Sequence, residues 1–172
     1  ISIYLPVSAD VVKPALVEIS VFADGQASIE VRTSIEALLT GINGRYGNTQ
    51  EAPNAKQYDA LRELEADALR VKFEEFTATL LDEVSLVVDG NELPLSMGQV
   101  DIPPPGYTKV PRSSVIRLVG NLPAGSQSLQ WYYPLKFSDQ AVRVRQVNHI
   151  TEDYHWSGYQ WIKEDQTSDA FS

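Results

Sequence analysis

The sequence contains no cysteine, and it has only two histidines among its 172 residues. The lack of cysteine excludes disulfide bonds, thiol nucleophiles, zinc ribbons and iron–sulfur clusters held by thiolates. No apolar run approaches the roughly 20 residues that a membrane-spanning helix needs. The chain is therefore predicted to fold in water, with hydrophobic burial as its main source of stability.

Basic residues are also scarce. Lys and Arg number 14 against 23 Asp and Glu, which gives a formal net charge of -9 and a pI near 4.6. Nucleic acids and anionic membrane surfaces select basic patches, so this charge argues against both as partners. The sequence has neither a Gly-x-Ser-x-Gly elbow nor a phosphate-cradling glycine loop. We predict that the chain is not an enzyme.

The length corresponds to a single domain, since domains usually hold about 100–200 residues. We assign this domain to residues 10–172. Residues 1–9 (ISIYLPVSA) are apolar and end in small residues, as signal peptides do before their cleavage site. They are interpreted either as a signal-peptide remnant, which predicts export across the inner membrane, or as a first strand or disordered tail.

Alternation of apolar and polar residues is the main structural signal. Between residues 127 and 137 one parity is apolar and the other is mostly polar. The apolar set is Leu129, Trp131, Tyr133, Leu135 and Phe137. A strand places alternate side chains on opposite faces, so one face is predicted to enter a core. With the flanking runs, residues 112–146 predict three successive antiparallel strands, a meander with one face in water.

Turn and helix signals complete the predicted fold. Asp24-Gly25 lies between two alternating runs and predicts a β-hairpin. Residues 33–36 (TSIE) fit a capping box that begins a short helix, which Gly41 and Gly44 end. A polar loop follows over residues 43–54, and helical spacing runs from Ala55 to about residue 82. The predicted fold class is mainly β: an antiparallel, Ig-like β-sandwich with a helical insert near residues 34–82.

One cluster has metal-binding residue types. His149, Asp153 and His155 share parity, so an extended strand would direct all three side chains to one side. Imidazole and carboxylate ligands suit nickel, copper or zinc. An extended strand would also separate His149 from His155 by about 20 Å, and the alternative is a polar loop with unrelated side chains. No other cofactor is predicted.

Aromatic residues offer a second candidate site, a stacking surface for a sugar or a partner peptide. Alternation assigns most of them to the core, and Tyr132 and Tyr159 are the predicted binding residues. The full set is Trp131, Tyr132, Tyr133, Trp156, Tyr159 and Trp161.

Several short motifs follow one another in a recognisable order. They are residues 13–19 (KPALVEI), 34–42 (SIEALLTGI), 58–62 (YDALR), 112–118 (RSSVIRL) and 122–125 (LPAG), followed by Trp131, Tyr159 and Thr167-Ser168. This order resembles the extracytoplasmic N-terminal region of HupE/UreJ-type bacterial membrane proteins, and the resemblance covers most of the chain from about Val12 onward. Family members often begin with a His-Glu pair where this chain has Asp10-Val11.

The resemblance implies a β-rich, non-enzymatic domain on the periplasmic side of the bacterial inner membrane. Its implied partner is a C-terminal transmembrane domain of the same polypeptide, similar to nickel permeases. Its implied role is to support nickel or cobalt transport by gating, scaffolding or ligand capture. The alternative is a free-standing secreted binding module for carbohydrate or a protein partner.

Overall fold

The computed structural model describes residues 11–107, 110–148 and 154–172, which form a mixed α/β fold with two sheets. The strands are β1 (Ala15–Phe22), β2 (Gln26–Thr33), β3 (Ser85–Val88), β4 (Asn91–Leu93), β5 (Ser96–Asp101), β6 (Ser114–Asn121), β7 (Leu129–Tyr132), β8 (Gln140–Val147) and β9 (Gln160–Ile162). The helices are α1 (Ile35–Thr40), α2 (Ala55–Arg62), α3 (Ala66–Glu74) and α4 (Thr77–Glu83), with a 3-10 turn at Thr49–Glu51. Within these ranges no helix has both the length and the hydropathy needed to cross a membrane.

The larger sheet has six strands in the order β5-β6-β2-β1-β8-β9, and the smaller has three in the order β4-β3-β7. β1 and β8 run parallel, whereas the other named strand pairs are antiparallel. The predicted all-antiparallel arrangement is therefore wrong for the six-stranded sheet. Side-chain alternation specifies which face of a strand is buried, but the direction of a partner distant in the chain is not encoded in it.

The predicted meander over residues 112–146 is also wrong. β6 pairs with β2 and β5, and β8 pairs with β1 and β9, but β7 between them belongs to the smaller sheet. The connections at residues 122–128 and 133–139 are longer than the hairpin loops of about two to five residues that join neighbouring strands. The chain therefore crosses between sheets twice in this segment.

The hairpin predicted at Asp24-Gly25 is confirmed in the structure, and a second Asp-Gly pair joins β3 to β4. β1 and β2 pair in register with Val17 opposite Val31, and Gly25 in their turn has φ +87°. Asp89 and Gly90 both have positive φ in the turn between β3 and β4, which is the backbone of the type I′ turn that Asp-Gly favours.

Helices occupy the segment between β2 and β3, as the sequence predicted. The first begins one residue later than the capping box implies, because the N-cap is Ser34, whose Oγ accepts from the Ala37 amide at 3.2 Å. Gly41 ends this helix in the left-handed conformation. Glu36 does not close a capping box; its side chain is buried and directed to another part of the chain.

A buried ion pair fixes the helices against the start of β6. Arg112 Nε donates to Glu36 Oε1 at 2.7 Å, with side-chain exposures of 4% and 0%. The same guanidinium donates to the carbonyl oxygens of Leu61 (3.1 Å) and Leu64 (2.8 Å), at and just beyond the C-terminal end of α2. Arg112 thus supplies donors to carbonyl groups at the helix end, although the Leu61 carbonyl also accepts from the Leu64 amide at 3.2 Å.

Both sheets and the helices contribute to one hydrophobic core. Its largest fully buried members include Trp131 and Tyr133 from the β7 region, Leu69 and Phe73 from α3, and Ile19 from β1. The predicted parity is therefore confirmed at Leu129, Trp131, Tyr133 and Phe137. It fails after the strand ends at Tyr132, where Pro134 is buried and Leu135 is only half-buried. With this core formed, the opposite face of the six-stranded sheet is left for other contacts.

Candidate functional site: an aromatic–arginine surface

Two arginines project from β8 on the face of the sheet opposite the core. Val142 and Val144 are buried, and the alternate residues Arg143 and Arg145 are only partly covered. β1 lies beside them in parallel register and supplies an acceptor to each: Arg143 Nε donates to Glu18 Oε2 at 2.9 Å, and Arg145 Nε donates to Ser20 Oγ at 2.8 Å. Both guanidinium groups are therefore held in place.

Aromatic rings stack on both guanidinium groups. The Arg143 Cζ atom lies 4.2 Å from the ring centroid of Trp156 and 4.6 Å from that of Tyr159. The Arg145 Cζ atom lies 4.3 Å from the Tyr154 centroid and 4.6 Å from the Trp156 centroid. All four distances are within the roughly 6 Å at which a cation is attracted to a ring face. The Trp156 ring contacts both arginines and links them.

Backbone pairing explains why the aromatic segment lies here. The Ser157 amide donates to the Val144 carbonyl at 2.8 Å, and Ser157 Oγ accepts from the Val144 amide at 2.9 Å. Trp156 forms an isolated antiparallel backbone pair with Arg145. A few residues later, Trp161 in β9 pairs with Ala141 of β8. The segment thus follows the edge of β8, where it satisfies backbone groups and positions its rings.

Three of these rings are substantially exposed: Trp161 at 60%, Tyr154 at 47% and Tyr159 at 39%. Contiguous exposed apolar area is uncommon on folded domains and marks binding sites more often than chance. We call this set the aromatic–arginine surface. It consists of Arg143, Arg145, Tyr154, Trp156, Tyr159 and Trp161.

A row of charges crosses the same face of the sheet. Glu18 and Glu30 lie directly opposite each other on β1 and β2, and an arginine stands on the outer side of each. Arg117 Nε donates to Glu30 Oε1 at 3.0 Å and its Nη1 to Asp101 Oδ2 at 2.5 Å, while Arg143 bonds to Glu18. The bond from Arg117 lowers the pKa of Asp101. The pairing offsets the repulsion between the two glutamates.

The structure separates the two predicted binding residues. Tyr159 belongs to the aromatic–arginine surface, but Tyr132 lies on β7 in the smaller sheet. The Tyr132 hydroxyl donates to Asp165 Oδ1 at 2.7 Å, and this bond raises the Tyr132 pKa. Trp131 and Tyr133 are buried in the core. Only the C-terminal half of the predicted aromatic set therefore forms one surface.

The predicted metal cluster falls mostly outside the described residues. His149 and Asp153 are not among them, and His155 is exposed beside Trp156. In the part of the chain that the structure describes, no group of three or more His, Asp or Glu side chains is arranged to hold a metal ion. The metal site stays a prediction from the sequence.

The role of Arg143 and Arg145 in this surface is not evident from the sequence. Their alternation with Val142 and Val144 indicates only an outward face. The signal that could have found the surface is the dense series of aromatic residues at 154, 156, 159 and 161.

Comparison with known proteins gives no family for this chain: no protein-family model matches it, and no curated protein does. The resemblance found in the order of motifs therefore stays a prediction.

Proposed function

We propose that the chain is a non-enzymatic, periplasm-facing domain that binds a partner through its aromatic–arginine surface. The observation that carries this proposal is the exposure of Trp161, Tyr159 and Tyr154 beside two fixed arginines. Trp, Tyr and Arg are the residues most enriched among those that dominate the binding energy of protein interfaces.

The arrangement of this surface favours binding. Arg143 and Arg145 are held by Glu18 and Ser20 and by the stacked rings, so they lose little conformational freedom when a partner docks. Association is strengthened when side chains are ordered beforehand, because the entropic cost of ordering them does not oppose binding. The aromatic rings then supply apolar area with few rotatable bonds.

The partner we propose is a transmembrane domain of the same polypeptide, as the resemblance to HupE/UreJ-type proteins implies. In that assembly the domain would support nickel or cobalt transport by gating, scaffolding or ligand capture at the periplasmic face of the inner membrane. We also propose that the two sheets form a sandwich of the Ig-like kind, since they share one core. The parallel β1–β8 pair and the helices between β2 and β3 would be additions to that pattern.

The reading frame beyond the codon for Ser172 tests the proposed partner. We expect several apolar segments of about 20 residues each, the length that spans a bilayer. A frame that closes within a few codons would overturn the membrane assembly and leave the alternative of a free-standing module.

A role in capturing the metal is tested by calorimetric titration with Ni²⁺, Co²⁺ and Zn²⁺. We expect binding that is weakened in the His155→Ala variant. Titrations that show no heat of binding at millimolar metal would exclude ligand capture and leave gating or scaffolding as the proposed role.

The alternative function, carbohydrate binding, is favoured by one observation, the 60% exposure of the Trp161 side chain. An exposed indole can stack on the apolar face of a pyranose ring. Soluble polysaccharides should then change the tryptophan fluorescence of the wild-type chain but have less effect on Trp161→Ala. Unchanged fluorescence across a polysaccharide panel would count against this alternative.

A further inference from the structure

An open cleft lies beyond the end of β9, and the residues that line it are not those of the aromatic–arginine surface. Its volume is about 540 Å³, within the roughly 300–1,000 Å³ of small-molecule sites. Three segments form its walls: the end of α1 with the loop after it (residues 38–45), the connection between β7 and β8 (residues 135–139), and the residues that follow β9 (163 and 165).

Hydrogen bonds between these segments hold the cleft open. Asn43 Nδ2 donates to the Lys136 carbonyl at 3.1 Å, and Asn43 Oδ1 accepts from the Arg45 amide at 3.1 Å. Asp165 Oδ1 accepts from the Leu135 amide at 3.1 Å, in addition to the Tyr132 hydroxyl. Each wall is therefore bonded to another wall or braced within itself, and the shape exists before any ligand binds.

Two of the charged groups in the cleft are already engaged. Lys136 Nζ lies 2.5 Å from Glu83 Oε1, and Asp165 accepts the two bonds just described. Lys163 and Asp139 differ from them, because neither side chain has an ion-pair or hydrogen-bond partner within the described ranges. The cleft thus presents one ammonium and one carboxylate that are available to a ligand. The guanidinium of Arg45 adds a second cation at the rim, stacked over the Tyr46 ring.

The cleft also has an apolar floor. Leu38 and Phe137 line it and are almost fully buried, and Leu135 is half-buried beside them. A ligand that fits this composition carries a negative group, a positive group and an apolar portion. A multiply charged anion would meet the Asp139 carboxylate, and a neutral apolar molecule would cover charged groups without pairing them, which opposes binding.

We propose that this cleft binds a small amphoteric molecule of the short-peptide class, with its carboxylate toward Lys163 and Arg45 and its ammonium toward Asp139. The apolar side chains would contact Leu38 and Phe137. This inference goes beyond the proposed function and does not depend on it, because the cleft is lined by other residues than the aromatic–arginine surface and each can fail its own tests separately.

The probe is L-leucyl-L-leucine, titrated into ¹⁵N-labelled chain and followed by the backbone amide signals of Gly41 and Gly44. We expect these signals to shift with a saturable dependence on peptide concentration. The N-acetyl derivative, which lacks the ammonium, and the C-terminal amide, which lacks the carboxylate, should each bind about fivefold more weakly or worse, the scale of one partly exposed ion pair.

Charge-removing variants assign the two ends of the peptide. Asp139→Asn should weaken binding of the free dipeptide about fivefold but leave binding of the N-acetyl derivative unchanged. Lys163→Gln should likewise weaken binding of the free dipeptide about fivefold but leave binding of the C-terminal amide unchanged. Asp82→Asn and Lys72→Gln, exposed positions outside the cleft, are the matched controls. The proposal is overturned if Gly41 and Gly44 do not shift at millimolar peptide, or if the three peptides bind equally.

Discussion

Arg112 and Glu36 form a buried ion pair between residues 76 positions apart in the chain, with 2.7 Å from Nε to Oε1. The pair joins the first helix to the segment that enters β6. It is satisfied on all sides, since Ser34 Oγ donates to Glu36 Oε2 at 3.1 Å and the guanidinium also bonds to carbonyl groups at and beyond the end of α2. The pair therefore sets how the helices dock on the six-stranded sheet.

The Arg112→Leu variant should lose about 3–5 kcal/mol in the free energy of unfolding, because the Glu36 carboxylate would remain buried without its partner. Urea denaturation measures this loss. Glu36→Leu combined with Arg112→Leu should recover part of it. Lys136→Gln, which removes an exposed ion pair with Glu83, should cost only about 0–1 kcal/mol. Equal losses in the Arg112 and Lys136 variants would contradict the role given to the buried pair.

The bond between Tyr132 and Asp165 predicts a pH dependence of stability. The Tyr132 hydroxyl, and then the Leu135 amide, lower the pKa of Asp165 in the folded state. A lowered pKa stabilises the fold above the ordinary value of about 3.9, and this contribution is lost as the pH falls through the folded value.

Tyr132→Phe should therefore flatten the loss of stability between about pH 4 and pH 2. Because the bond also raises the pKa of Tyr132, the variant should likewise lose less stability above about pH 10. Urea unfolding at a series of pH values measures both, with Tyr107→Phe, an exposed tyrosine, as the control. Wild-type and Tyr132→Phe curves that run parallel would show that the bond does not form.

The hairpin between β1 and β2 depends on the backbone of Gly25. Its φ is +87°, and a Cβ atom there would lie 3.0 Å from the Leu122 carbonyl oxygen. Gly25→Ala should therefore cost more than about 1 kcal/mol in the free energy of unfolding. Gly106→Ala, where φ is ordinary and the space is open, should change stability by less than about 0.5 kcal/mol. A thermal or urea melt that ranks the two variants the other way would refute this account of the turn.

Truncation of two tryptophans should lower the stability by very different amounts. Trp131 is fully buried, and its Nε1 donates to Gln140 Oε1 at 2.9 Å, so Trp131→Ala should cost about 3–5 kcal/mol. Trp161→Ala should cost less than about 1 kcal/mol, because most of its surface is already in water. Chemical denaturation of the two variants checks the assignment of these rings to the core and to the surface. A large loss in Trp161→Ala would mean that this ring serves the fold and is not kept for a partner.

Local features of this fold follow from the sequence more closely than its long-range ones. The Asp24-Gly25 and Asp89-Gly90 turns, the end of α1 at Gly41 and the core parity of Trp131 and Tyr133 each depend on residues a few positions apart. Turn chemistry and side-chain alternation act over that range, so the sequence predicts them well.

Strand partners and the functional surface depend on contacts between distant residues. Side-chain alternation does not reveal that β1 pairs with β8 in parallel or that β7 belongs to the smaller sheet. Glu36 shows the same difficulty: its spacing from Thr33 fits a capping box, but the arginine that takes its carboxylate is 76 positions away. The stacking of Trp156 on Arg143 and Arg145 likewise requires knowledge of the chain path across β8.

The most direct test of the central claim, that the aromatic–arginine surface binds a membrane-embedded partner, is site-specific photo-crosslinking of the full-length polypeptide in membranes. A photoreactive phenylalanine at position 161 should crosslink to peptides of the transmembrane domain, identified by mass spectrometry. The same group at position 71, an exposed valine on α3, is the matched control and should give no such crosslink. Crosslinking at position 71 but not at position 161, or at neither position, would contradict the account.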